Sequence, residues 1–157
     1  MIYESIFDID FELLIQDGVR HLFFDVDNTL IGYNDTQVSL QCMNIFNALP
    51  NMGFEHIILV SNNSNVDRID MVAKQLKLPA VTFACKPFDF TMRRLFYEYG
   101  IQPQHSAMIG DQLLTDVLLA NRLDMVSIFT DPIDVESVSM SKKLQYRFQS
   151  YLFRLFS

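Results

Sequence analysis

The chain has 157 residues, half of them hydrophobic, with a formal net charge of −7 and a pI of about 4.7. That length and apolar content fit one folded domain over 1–157 and exclude a disordered chain, while the acidic balance argues against a nucleic acid polymer as partner. Cys42 and Cys85 stand apart from each other and from any histidine cluster, which argues against zinc and fits a reducing, cytoplasmic setting.

The first ten residues are acidic and lack the basic and apolar regions of a secretory signal. No apolar run approaches the ~18 residues of a spanning helix. Strands rich in Ile, Val, Phe and Leu are predicted at 20–25, 56–61, 80–84, 106–110 and 125–129, and helices at 38–49, 65–76, 88–99 and 113–121. The helix at 38–49 carries Val38, Cys42, Ile45, Phe46 and Leu49 at a period of 3.6 and is predicted to end before Pro50 and Gly53. Strands alternating with helices of this length predict an α/β fold, a three-layer α/β/α sandwich on a parallel, Rossmann-like sheet with right-handed crossovers.

In a parallel sheet all carboxyl ends share one edge, so polar residues that follow successive strands converge there. Asp25, Asp27 and Thr29 follow the first strand, and Ser61, Asn62 and Asn63 the second. Lys86 follows the third, and Gly110 and Asp111 the fourth, with Asp116 one turn into the next helix. Taken singly these are weak signals: Ser61-Asn62-Asn63-Ser64 reads as a loop and helix N-cap, and Lys86 as a surface lysine. Their joint occurrence in strand-terminal register points to phosphoryl transfer, which depends on positioning and on stabilising charge. One carboxylate can serve as nucleophile, and a second, two residues on, can protonate the leaving oxygen and then activate water. Asp25 and Asp111 can share a Mg²⁺ ion, Ser61 can donate to a phosphoryl oxygen, and Lys86 supplies a point charge beside it.

These residues resemble the haloacid dehalogenase superfamily of aspartate-nucleophile phosphatases. Asp25-Val26-Asp27-Asn28-Thr29 looks like its first motif, Ser61 its second, Lys86-Pro87 its third and Gly110-Asp111 through Asp116 its fourth. The fuller strings Phe24–Leu30, Val60–Asn63 and Ile109–Val117 look like subfamily IIIA, YqeG-type, a branch similar to phosphatidylglycerophosphate phosphatases. The resemblance implies Asp25 as nucleophile and metal ligand, and Asp27 as general acid/base with its carbonyl on the metal. It implies Asp111 as the third ligand of Mg²⁺, with Ser61, Asn62 and Lys86 on the substrate phosphoryl group. Thr29 would order the first loop at the substrate side, and Asp116 would orient Lys86 or a metal-bound water. An acid at position 27 favours phosphatase over dehalogenase chemistry, because an alcohol leaving group needs a proton.

The intervals Asp27–Ser61 and Ser61–Lys86 are each consumed by a crossover helix and a strand, leaving no room for a cap domain. An open site suits phosphates on large bodies, and a lipid headgroup such as that of phosphatidylglycerophosphate is the favoured substrate. A capless nucleotidase, a protein phosphatase and a non-catalytic binding module are the alternatives. Residues 141–157 carry Lys142, Lys143, Arg147 and Arg154 without one acid, and place Leu144, Phe148, Tyr151, Leu152 and Leu155 at helical spacing. That composition predicts an amphipathic helix in peripheral contact with the inner face of a membrane, or a helix packed on the sheet or in a dimer interface.

Overall fold

The computed structural model describes residues 1–138, 140 and 143–149. In chain order the elements are β1 (Ile2–Tyr3), α1 (Phe11–Gln16), β2 (His21–Phe24), α2 (Leu40–Met52), β3 (His56–Val60), α3 (Val66–Leu76), β4 (Ala80–Val81), α4 (Phe90–Tyr99), β5 (Ser106–Gly110), α5 (Leu118–Arg122), β6 (Val126–Thr130) and a helical stretch, α6, at 143–149. The strands form one fully parallel sheet in the order β1-β6-β5-β2-β3-β4. β2 lies centrally, with Phe24 in register with Leu59 on one side and Ile109 on the other.

The apolar run of β2 follows from that position, since a central parallel strand is covered on both faces. Leu22, Phe24, Ile57, Leu59 and Ile109 face a core built with Phe46 and Leu49 of α2 and Ile69 and Val72 of α3. Phe23, Ile58, Val60 and Met108 alternate to the opposite face and meet Met92 and Phe96 of α4 and Leu119 of α5. Phe24 packs edge-on against Phe46 at 4.8 Å between ring centres, and Phe23 against Phe96 at 5.7 Å. The expected three-layer parallel architecture is present, and among the described residues no second domain covers the carboxyl edge.

Local departures have identifiable causes. α2 continues through Pro50 to Met52, because a proline so near the end removes little of the ladder and Gly53, at φ 107°, closes the helix by donating to Leu49 and Pro50 carbonyls. The strand expected at 80–84 stops at Val81, since Phe83 (φ 51°) and Cys85 (φ 57°) adopt left-handed conformations that no extended strand contains. The helix expected at 113–121 opens as a wide π-type turn at Leu113–Val117 before α5. β1 and α1 were not anticipated; the latter is capped by Asp10, whose side chain accepts from the Leu13 amide.

Cys42 is completely buried on α2, and burial pushes its thiol up to about 12, whereas Cys85 is exposed. A thiol-reactive chromogenic disulfide is therefore expected to titrate Cys85 alone in the native protein and both cysteines in denaturant. Rapid native reaction at both would contradict the packing of α2.

Candidate active site

The site grows from the end of β2. Asp25 extends the strand by one residue, its amide donating to the Ile109 carbonyl at 2.9 Å. The chain then leaves the sheet in one helical turn, with the Leu30 amide on the Val26 carbonyl at 3.0 Å and Asn28 at φ 62°. This turn carries Asp25, Asp27 and Thr29, all buried, onto the carboxyl edge.

Lys86 arrives from the loop beyond β4 through a cis Lys86–Pro87 bond. Its ammonium donates to Asp25 Oδ1 at 2.6 Å and to the Val60 carbonyl at 2.7 Å, and pairs with Asp116 Oδ1 at 2.7 Å. Asn62 fixes the backbone beneath it, accepting from the Lys86 amide at 2.7 Å and donating to the Lys86 carbonyl at 2.9 Å. Gly110 is required where Asp116 crosses it, since a methyl there would collide with the Asp116 carboxylate.

Charge is unbalanced at this point. Carboxylate oxygens of Asp25, Asp111 and Asp116 lie within 4.8 Å of one another, all buried, and face the single ammonium of Lys86. Burial holds Asp25 well above the usual carboxylate range, opposed by Lys86 and reinforced by Asp116 and Asp111. Burial, with Asp116 next, pushes Asp111 up to about 7. For Lys86, burial disfavours the ammonium, but Asp116 and Asp25 outweigh it and hold the group above its ordinary value. Asp25 Oδ2 is buried without a hydrogen-bond partner. Three carboxylates against one ammonium, with one oxygen orphaned, fit a hard divalent cation that prefers oxygen ligands.

Asp27 is held at both oxygens, one by the Arg68 guanidinium and the other by Asn63 Nδ2 at 2.8 Å. Arg68 in turn donates to the Asp35 carbonyl at 2.8 Å and the Gly32 carbonyl at 2.9 Å, so α3 anchors the first loop. Asn63 was expected at this edge from its strand-terminal position but was given no role, and Arg68 was not singled out from sequence. A signal existed for Arg68: a cation in the first turn of a helix opposes the helix dipole and calls for a local anion.

A cavity of about 260 Å³ opens above these groups, its wall including Asp25, Asp27, Asn62, Asn63, Lys86 and Gln112. Ser61 lies beneath the wall, fully buried, its hydroxyl accepting from the Asn63 amide at 3.0 Å. Thr29 lies behind the cavity rather than in its wall, with its hydroxyl 3.4 Å from Asp111 Oδ1.

The C-terminal segment also reaches the site. α6 turns Tyr146 and Gln149 inward against Asp111, whereas Leu144 and Phe148, from the expected apolar stripe, are exposed. The inward face was missed because stripe counting weighed aliphatic and aromatic spacing, not the polar atoms of Tyr146 and Gln149. Lys142, Tyr151, Leu152, Arg154 and Leu155 lie outside the described residues.

Residues 83–132, which carry Lys86, Asp111 and Asp116, match the HAD-hydrolase-like family model. The chain is 30% identical over 130 residues to the "Probable phosphatase YqeG" of Bacillus subtilis (strain 168), covering 83% of this chain and 74% of that protein. Among solved structures, an uncharacterized protein from Listeria monocytogenes serotype 4b superposes with a TM-score of 0.62 at 14% identity, over 77% of this chain and 85% of the other. The 3-deoxy-D-manno-octulosonate 8-phosphate phosphatase of Moraxella catarrhalis, solved with magnesium and phosphate ions, gives 0.56 at 18% identity, over 93% and 98%. The two solved structures share the fold, and the identity to the Bacillus protein adds kinship: the chain belongs to the haloacid dehalogenase superfamily, as a phosphatase of the YqeG type.

Proposed function

We propose that the protein is a Mg²⁺-dependent phosphomonoesterase, a single capless domain that works through an aspartyl-phosphate on Asp25. The observation that carries this reading is Asp25 itself: a buried carboxylate with Oδ1 fixed by Lys86 and Oδ2 unpartnered at the floor of an open cavity. Asp25, Asp111 and the Asp27 carbonyl would hold Mg²⁺, which supplies positive charge for the phosphoryl oxygens when bound. The Asp25 carboxylate attacks phosphorus, the bond to the ester oxygen breaks, and that oxygen departs with the electron pair and takes a proton from Asp27. Water then gives a proton back to Asp27 and attacks phosphorus, releasing inorganic phosphate and Asp25. Arg68 and Asn63 set the resting position of Asp27, which must leave Arg68 and take up a proton from water or the incoming monoester before it can serve the leaving oxygen. Lys86 neutralises charge beside Asp25, Asp116 orients Lys86, and Asn62 and Ser61 shape the phosphoryl-binding loop.

Phosphatidylglycerophosphate, or another phosphate on a large body, is the substrate this reading favours. Two features support it: a carboxyl edge that no second domain covers among the described residues, and exposed apolar side chains on the segments that bear Lys86 and that dock beside Asp111. Phe83, Phe88 and Phe90 flank Lys86 in sequence and are each more than half exposed, while Lys143, Leu144, Arg147 and Phe148 occupy the segment that docks beside Asp111. Among the described residues no helix is long and apolar enough to cross a membrane, so contact with an inner leaflet would be peripheral. A nucleotidase or protein phosphatase would use the same chemistry and be told apart by turnover.

Full-length protein is expected to hydrolyse phosphatidylglycerophosphate in anionic vesicles faster than nucleotide, sugar-phosphate or phosphopeptide substrates. Chelation should stop the reaction and Mg²⁺ restore it. Preference for a soluble ester would remove the lipid assignment, and metal-independent hydrolysis would remove the cation.

A further inference from the structure

Asp111 is gripped from two directions. Thr29 Oγ1 lies 3.4 Å from its Oδ1, while the Tyr146 hydroxyl donates to its Oδ2 at 2.5 Å. The same hydroxyl accepts from Asn28 Nδ2 at 3.1 Å, so one phenol bridges the loop after β2 and the loop after β5. Gln149, three residues along and on the same helix face, donates to the Asp111 carbonyl at 3.2 Å and accepts from the Leu113 amide at 2.8 Å. Both side chains are buried, at 5% and 2% exposure, although the segment that bears them shows Leu144 and Phe148 to solvent.

We propose that Tyr146 is a positioning residue for divalent-cation binding by Asp111, with Gln149 holding the backbone of the same loop. The inference rests on the Mg²⁺ reading above. A carboxylate free to rotate must be ordered when the cation arrives, whereas one tied closely at Oδ2 is ordered in advance, and Oδ1, with only the long Thr29 contact, retains a lone pair for the ion. Groups that hydrogen-bond a metal ligand in this way affect affinity without touching the metal. The C-terminal segment is thus part of the metal site, which the strand-terminal motifs alone do not include.

Calorimetric titration of full-length, metal-free protein with Mg²⁺ tests this. Tyr146→Phe keeps the ring and is expected to weaken Mg²⁺ binding by about tenfold or more, with an unchanged metal-free melting temperature. Gln149→Ala should shift affinity in the same direction, and Leu144→Ala, on the exposed side of the segment, should leave it unchanged. The rate of ester hydrolysis by Tyr146→Phe should recover as Mg²⁺ is raised. Parental Mg²⁺ affinity in Tyr146→Phe would overturn the inference while leaving the Mg²⁺ reading intact. Should that variant melt early, parental affinity in Gln149→Ala overturns the inference in its place. Equal weakening by Leu144→Ala would reduce the effect to helix docking and also overturn it, and a parent protein that binds no Mg²⁺ would overturn both readings.

Discussion

Asp25→Asn is expected to lower ester hydrolysis by a factor on the order of 10⁴ or more while leaving a folded protein. Asparagine keeps the size of the side chain and can still accept a hydrogen bond from Lys86, but its amide is not a nucleophile for phosphorus. The effect on stability depends on pH. Asp25 stands well above the usual carboxylate range and Asp111 at about 7, in each case because of burial first and neighbouring carboxylates second. The metal-free native chain therefore holds protons that the unfolded chain releases above its ordinary value of 3.8. Stability falls as pH rises from there towards about 7, where Asp111 ionises in the folded state. Asp25→Asn removes one contributor to that decline, so its melting temperature should depend less steeply on pH than the parent's. Turnover within tenfold of the parent, in protein free of contaminating phosphatase, would rule out the aspartyl-phosphate route.

What could be read from sequence is what the topology of a parallel sheet positions. The apolar runs of β2, β3 and β5 are visible because parallel central strands bury both faces, and their polar followers converge by topology alone. Asp25, Lys86, Asp111 and Asp116 come together on that argument. Pairings made by residues outside strand-terminal register were not legible. Arg68 meets Asp27 across 41 positions and Tyr146 meets Asp111 across 35, and neither pairing leaves a periodic trace. The same limit explains the boundaries: β4 ends early because Phe83 and Cys85 turn left-handed, a backbone choice that side-chain pattern does not encode. α2 passes Pro50 because the Gly53 cap outweighs a proline in the last turn.

Lys86→Met should be the most destabilising single change at the site, and its cost should depend on pH. The Lys86 ammonium is buried against Asp25, Asp116 and the Val60 carbonyl, and methionine fills similar volume without charge or donor. Breaking a buried ion pair from one side costs about 3–5 kcal/mol, a large share of the roughly 5–15 kcal/mol that holds a domain together. The carboxylates left behind can escape part of that cost by taking up protons. With their one cation gone, burial and the repulsion of neighbouring carboxylates hold Asp25 and Asp111 protonated to higher pH in the native chain, while the unfolded chain ionises at its ordinary values. The native state then binds more protons than the unfolded state over a wider window, so the deficit against the parent should widen as pH rises. Denaturant unfolding of metal-free protein at pH 5 and pH 8 measures it: the gap in unfolding free energy should be clearly larger at pH 8. Saturating Mg²⁺ should then narrow the pH 8 gap, because a divalent ion supplies the charge that Lys86 no longer provides. A gap equal at both pH values would mean that Lys86 stabilises the site by packing rather than by charge.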